Sequence, residues 1–392
     1  MLKNNQDNID TWTVKTELPV SFQIKNSPNL FSRGNLSILE HGNKGPGSRR
    51  MVVIDKNLCN HYLSDVTNYF DHHGVEIHIV AIKSEEDDKN LETLMLVLGE
   101  MERFGLLRRS EPVIAIGGGV LLDIVGMAAG LYRRGIPYIR VPTTLVGLVD
   151  ASVGAKTGIN YQVRRNRLGS YYPPLASYLD KIFLKTLAPI EISSGLGEIL
   201  KMAVIKDSRL FEVLESNGAN LLSSKFQNCD YADEVIRLAV QGMKEELENN
   251  LWETNLERAV DFGHSFSPII EMRSIEDNLY LPLSHGQAVT LDVLFSCVIS
   301  CQRGLLNEMN LYRIAQTARN MGLPTDHELF HDPLMILESL KDTMKHRNGA
   351  QNLPMPVSIG DYVFVNDLSF DEIKLATSGL IRINEQLNIV RM

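Results

Sequence analysis

The sequence predicts an α/β half followed by a mostly α-helical half, and three observations predict it. Short apolar runs alternate with helical segments up to about residue 186, the pattern of a parallel sheet with crossover helices. The third run ends in Gly117-Gly118-Gly119, the tight turn by which a strand passes into a helix. Beyond residue 186 the apolar spacing becomes that of long helices. The division expected is a loose tail over 1–12, an α/β domain over 13–186 and a helical domain over 187–392.

Taken in order, Met51-Val52-Val53-Ile54-Asp55 reads as a buried strand closed by an acidic residue, and residues 75–80 as a second strand. Helical periodicity runs over 89–106. Pro112 to Ile116 is a third strand, 120–133 a helix, and Tyr138 to Val141 a fourth strand. The helical half is read as 191–206, 207–223, 230–249, 254–273, 285–303, 307–321 and 333–345, with one late strand at Tyr362 to Val365. No internal repeat or low-complexity linker separates the halves, so a cleft between them is the expected ligand site.

Composition narrows the function classes. Apolar residues make up 44% and charged residues 22%, as in soluble globular proteins. A net charge of −9 argues against nucleic acid as a partner, since that needs a broad basic surface. No apolar run approaches the ~20 residues that span a bilayer, so no membrane partner is expected. The polar N-terminus lacks the apolar core of a signal peptide. Four cysteines, at 59, 229, 297 and 301, are too few for a disulfide framework and fit a cytoplasmic location. Cys297 and Cys301 sit in an apolar helical stretch and read as core thiols.

The chemistry lies in segments far apart. Backbone amides of the glycine turn can approach a pyrophosphate at a helix N-terminus, though a bland tight turn has the same spelling. Asp55 can take ribose hydroxyls or cap a helix. Pro142 to Asn160 gathers hydroxyls, glycines and Lys156. It suits a phosphate or a solvated loop. Arg164-Arg165-Asn166-Arg167 adds local positive charge for an anionic substrate, or forms a solvated face. Glu198 and Lys201 share a helix face, as a surface ion pair also would, though Leu196 and Ala203 to Ile205 make the surroundings apolar. Gly197-Glu198, Gly263-His264 and His285-Gly286 together offer one carboxylate and two imidazoles, a set suited to a catalytic zinc with an open position.

Together these segments resemble the sugar phosphate cyclase superfamily, the dehydroquinate synthase-like enzymes, over roughly residues 50–366. The resemblance implies a Rossmann-like NAD domain, a helical metal domain and a homodimer. It implies Glu198, His264 and His285 as ligands of zinc, or of cobalt, which accepts the same donors. NAD contacts would be Asp55, Asn57, Glu86, Lys89, Gly118, Gly119, Asp123, Thr143, Thr144, Asp150, Arg165, Thr186 and Leu187. The family usually has lysine where this chain has Arg165. Substrate phosphate would meet Lys156, Asn166 and Arg347, with Arg134 reaching from a second subunit, and Lys201 would hydrogen-bond substrate hydroxyls.

Departures point to a subgroup. Dehydroquinate synthases carry histidine, asparagine and arginine where this chain has Pro268, Asp261 and Glu257. The run Gly263 to Pro268 and the Asn250-Leu251-Trp252-Glu253 segment are similar to cyclases acting on sedoheptulose 7-phosphate. Asp261 paired with His346 resembles the members that form 2-epi-5-epi-valiolone, with both residues beside the intermediate. Desmethyl-4-deoxygadusol synthases typically have alanine and threonine there. Lys244 falls near a lysine that dehydroquinate synthases use beside a substrate carboxylate, and also reads as a solvent-facing helix residue. An NAD- and metal-dependent alcohol dehydrogenase is the alternative from another class.

Overall fold

The computed structural model describes residues 11–44, 47–162, 164–277 and 279–389, with the backbone only at 164. Most of the expected tail, residues 1–10, lies outside the described residues, and Thr11 and Trp12 are exposed.

The N-terminal half is built on β1 (Gln23–Asn26), β2 (Arg49–Asp55), β3 (Glu76–Ile82), β4 (Val113–Gly117), β5 (Tyr138–Pro142) and β8 (Ala176–Leu179). They form one six-stranded sheet in the order β1-β8-β5-β4-β2-β3, and every pairing is parallel. Helices α1 (Cys59–His72), α2 (Leu91–Phe104) and α3 (Gly119–Leu131) make the crossovers. Burial on both faces explains the unbroken apolar runs. Met51 and Val53 of β2, with Val113 and Ala115 of β4, join the core under α2 and α3. Val52, Ile54, Ile114 and Ile116 join the opposite core with Val66 and Phe70 of α1. Successive side chains thus feed opposite layers.

The order of strand addition reverses between β2 and β4, although the strands stay parallel. From β2 the path first moves outward to β3 and then returns to β4 on the other side. Such a switch point opens a crevice at the carboxyl ends of its strands. Asp55 ends β2, and the glycine turn ends β4.

α1 and β8 lie outside the sequence expectation, and two further features differ from it. β1 lacks an apolar run and joins the sheet through its backbone against β8. The 156–171 segment is an antiparallel hairpin, β6 (Lys156–Tyr161) with β7 (Arg164–Tyr171), rather than a plain loop. Gly158 and Gly169 face one another there, and a Cβ on Gly169 would lie 2.6 Å from the Thr157 carbonyl. Arg140, fully buried in β5, shapes the approach by donating to the carbonyls of Ala151 (2.8 Å), Gly154 (2.5 Å) and Lys156 (3.2 Å).

The helical half comprises α4 (Pro189–Ile205), α5 (Ser208–Ser224), α6 (Ala232–Glu248), α7 (Ser267–Glu276), α8 (His285–Gln302), α9 (Glu308–Asn320), α10 (Pro333–His346) and α11 (Phe370–Ile389). A short hairpin, β9 (Leu353–Ser358) with β10 (Asp361–Val365), precedes α11. α4 and α8 are apolar nearly all round and form the centre of the core, as their all-round pattern requires. The helix expected over 254–273 shrinks to α7. Asn250 takes the Asn255 amide onto its side chain at 3.0 Å, and Gly263 has φ of 77°, so apart from a 3-10 turn at Ala259–Asp261 the chain stays in loops until α7, with Pro268 in its first turn. α11 is an additional helix, with Ile373, Ala376, Leu380 and Leu387 on its buried side.

Candidate active site

Three glycines place the candidate metal donors. Gly197 lets α4 lie against α8: a Cβ there would meet the Gly286 carbonyl at 2.4 Å. A Cβ on Gly286 would meet the Ser194 carbonyl at 1.8 Å. The Gly286 amide donates to Ser194 Oγ at 3.0 Å. This close crossing brings Glu198 of α4 beside His285, the first residue of α8. Gly263, in the left-handed region, turns the chain so that His264 enters from the loop before α7.

The geometry is that of a ligand set. Glu198 Oε1 lies 3.1 Å from His285 Nε2 and 3.6 Å from His264 Nε2. A tetrahedral ion with ~2.1 Å bonds needs donors about 3.4 Å apart. One donor atom from each residue falls within 4.8 Å of the others. Glu198 is 1% exposed, and its Oε1 has no well-directed hydrogen-bond donor among the described residues. Buried carboxylate oxygens rarely go unsatisfied, so a bound cation fits this site. Lys201 Nζ lies 2.7 Å from Glu198 Oε2 and is itself buried.

Electrostatics sort the two imidazoles. Burial, reinforced by the Lys201 ammonium, pushes His264 down to about 3. Its Nδ1 faces the Phe262 carbonyl at 3.3 Å, which leaves Nε2 with a lone pair toward Glu198. Burial also opposes charge on His285, but the Glu271 and Glu198 carboxylates outweigh it and raise that ring to about 10. Its Nδ1 lies 3.1 Å from Glu271 Oε2. Against burial, the Lys201 ammonium, helped by both histidines, holds Glu198 well below the ordinary carboxylate range. Asp150, on the turn after β5, is pushed up by burial and then by Glu198.

Asp261 is set between two arginines. It pairs with Arg258, and Arg347 Nε stands 3.5 Å from its Oδ2. Burial opposes ionisation, yet Arg258 and then Arg347 hold this carboxyl below its ordinary value. His346, the neighbour of Arg347, turns outward: its side chain is 62% exposed and 4.0 Å from Asp342. Arg347 is buried and donates to the Gln351 carbonyl at 2.6 Å. Lys156 is 58% exposed and pairs with Glu253. Lys244 is exposed and pairs with Glu248 one helical turn on, at 2.7 Å. Arg134 is exposed, in a left-handed turn with φ of 61°.

Most nucleotide candidates lie just past the carboxyl ends of the sheet strands. Asp55 caps the turn after β2, accepting from the Asn57 amide at 2.8 Å and from Ser84 Oγ at 2.5 Å. Gly118 precedes α3 with no side-chain cap, which leaves amides free for an anion. A Cβ there would crowd Thr144 at 2.9 Å. Thr143 is buried, and Thr144 Oγ1 accepts from the Gly147 amide at 3.0 Å. Buried Lys89 donates to Asp123 and Asn166, each at 2.6 Å. Glu86 meets Asn160 at 2.7 Å and Arg165 at 3.0 Å. Thr186 meets the Tyr62 hydroxyl at 3.3 Å, and the Leu187 carbonyl accepts from Lys225 at 2.7 Å. Gly119 opens α3.

Five residues that sequence reasoning passed over organise this region: Arg140, Glu253, Arg258, Glu271 and Asp292. A charged residue inside an apolar run was the available signal for Arg140 in Tyr-Ile-Arg-Val, Glu271 in Ile-Ile-Glu-Met and Asp292 in Thr-Leu-Asp-Val. Charge is kept in such places only when paired.

Comparison with known proteins fixes the family. Residues 79–194 match the 3-dehydroquinate synthase N-terminal domain, and residues 195–347 match the C-terminal domain. The chain belongs to the 3-dehydroquinate synthase family. It is similar to the 2-epi-5-epi-valiolone synthase of Streptomyces albus, 44% identical over 379 residues, 95% of this chain and 91% of that one. The enzyme of the same name from an Actinoplanes species is 42% identical over 388 residues, 97% of this chain and 96% of that one. Among solved structures, ValA, the 2-epi-5-epi-valiolone synthase of Streptomyces hygroscopicus subsp. jinggangensis 5008 with NAD+ and Zn2+ bound, superimposes with a TM-score of 0.88. It is 43% identical, over 95% of this chain and 99% of that one. The α/β and helical halves are thus those of the dehydroquinate synthase fold.

Proposed function

We propose that this protein is a sugar phosphate cyclase that converts sedoheptulose 7-phosphate to 2-epi-5-epi-valiolone and phosphate. The convergence of Glu198, His264 and His285 beside Lys201 carries the reading, and the relatives' shared activity supports the product. Bound NAD would take a hydride from a ring hydroxyl and later return it, while zinc, or cobalt in its place, would polarise the oxygen concerned. The protein's residues supply position and charge. Lys201, beside Glu198, would donate to substrate hydroxyls. Lys156, Asn166 and Arg347, with Arg134 of a second subunit, would hold the phosphate. Lys156 must then leave Glu253, an exchange its exposure permits. A ketone in the ring acidifies the adjacent C–H. Its proton passes to a phosphate oxygen as phosphate leaves. Ring opening then allows aldol closure, with Asp261 fixing the open chain through Arg258 and Arg347. Asp261 occupies Arg258 and Arg347, which leaves these guanidinium groups less free to take the carboxylate of the acid substrate of dehydroquinate synthase.

Incubation with sedoheptulose 7-phosphate, NAD and zinc, followed by product identification, tests the proposal. 2-Epi-5-epi-valiolone with no net NADH is expected. Desmethyl-4-deoxygadusol, preferred turnover of the acid substrate or accumulating NADH would each replace it with another reading. We also propose a cytoplasmic homodimer. Four free cysteines suit a reducing compartment. Trp12, Val14 and Leu18, ahead of edge strand β1, are 83%, 91% and 86% exposed, an apolar burden that a second copy would relieve. Light scattering and cell fractionation check the two claims.

A further inference from the structure

Glu271 is buried to 2% exposure on α7, yet it is no member of the three-donor set. One oxygen meets His285 Nδ1 at 3.1 Å, and the other meets Arg165 Nη1 at 2.6 Å. Arg165 comes from β7, on the hairpin of the other half, and its Nη2 continues to Glu86 at 3.0 Å. A chain of charge-assisted contacts therefore runs Glu86–Arg165–Glu271–His285–Glu198, from the nucleotide crevice to the candidate metal centre.

We propose that Glu271 is the positioning residue of the metal centre, and that Arg165, which pairs with no metal ligand, sets the centre's affinity through it. The inference rests on the metal-site reading above. An imidazole can ligate through Nε2 only while its proton sits on Nδ1, and the group facing Nδ1 decides that. Glu271 can only accept at this position, so it fixes the proton on Nδ1 and aims Nε2 at Glu198. Arg165 holds the second Glu271 oxygen and so locks the carboxylate plane. A glutamine at 271 would face opposed demands, because its amide NH2 must point either at the Arg165 guanidinium or at His285 Nδ1. In the second pose the imidazole proton moves to Nε2 and ligation fails.

The test uses the full-length wild type, Glu271→Gln, Arg165→Met and the double variant. Zinc affinity is read by competition with a chromogenic chelator, and the visible spectrum of the cobalt-loaded proteins is recorded. Glu271→Gln should bind zinc about 10–100-fold more weakly, with an altered cobalt spectrum. Arg165→Met should lose about tenfold, though it touches no donor. The double variant should bind better than the product of the two losses, because without Arg165 the glutamine can turn its oxygen to His285. Zinc affinity of Glu271→Gln within about twofold of wild type would overturn the positioning role, and strictly additive losses would overturn the link through Arg165. A general structural role would lower the melting temperature of all three variants and leave the cobalt spectrum unmoved. Failure of the wild type itself to bind zinc would sink the metal-site reading instead.

Discussion

Each candidate metal donor neighbours a glycine because a carboxylate and two imidazoles can converge only where backbones approach without a Cβ between them. The three residues should therefore be separable from the fold. Their removal deletes the donor groups, while the glycines and the α4–α8 contact remain. His264→Ala or His285→Ala is expected to abolish metal retention and turnover with the helical content unchanged. Undiminished zinc in both variants, measured by mass spectrometry, would remove these histidines from the site. Asp261 presents a different case. Arg258 and Arg347 both lean on it, so Asp261→Ala leaves Arg258 with Glu253 and Arg347 with backbone carbonyls as partners, and the lost charge-assisted bonds should cost about 1–3 kcal/mol. The variant should lose or redirect formation of 2-epi-5-epi-valiolone. His346→Thr alone should change the product little, since that ring faces solvent. Product analysis of the two single variants decides whether control lies with the inward carboxylate or is shared with the outward imidazole.

At the scale of elements, the site depends on one helix crossing. Gly286 of α8 meets the Ser194 backbone of α4 so closely that a methyl group would lie 1.8 Å from a carbonyl oxygen. Neither backbone can rotate away as a flexible side chain would. Gly286→Ala should therefore cost about 3 kcal/mol or more and should weaken metal binding by separating Glu198 from His285. Gly99 of α2 is the contrast: nothing lies within 4 Å of an added Cβ. Gly99→Ala should leave activity untouched and add about 0.5–1 kcal/mol, the helix preference for alanine. Chemical denaturation of both variants reads the difference. A tolerated Gly286→Ala would mean that the two ligand-bearing helices are not held by backbone contact.

Across the whole molecule, what the sequence made legible follows from which interactions are local. β2, β4 and β5 announce themselves because strands buried on both faces must be continuously apolar. The donor types Glu198, His264 and His285 announce themselves because metal chemistry restricts the residues that can serve. β1 does not, since β8, distant in sequence, recruits it by backbone hydrogen bonds, and the β6–β7 hairpin does not, since its strands are rich in glycine, polar and charged residues rather than in an apolar pattern. The expected helix over 254–273 fails for a related reason: its apolar spacing is real, but the Asn250 side chain and Gly263 hold the segment in loops. Asp292 shows the same non-local logic most fully. It sits fully buried on α8 and accepts from the amides of Phe266 and Ser267 at 2.5 and 2.8 Å. The loop that carries His264 is thereby tied to the helix that carries His285. Burial pushes this carboxyl up to about 6, although the backbone donors pull the other way. A carboxyl whose folded value lies above its ordinary 3.8 binds more protons in the folded state across that window. Its stabilising contribution is full at low pH and is lost as pH rises through about 4 to 6. Over that range the wild type should lose up to about 3 kcal/mol relative to Asp292→Asn, whose amide oxygen can still accept from both backbone amides. Denaturant titrations of the two proteins at stepped pH give the comparison. Parallel stability curves between pH about 4 and 6 would show that Asp292 is ionised throughout and that Arg347, not a proton, balances its charge.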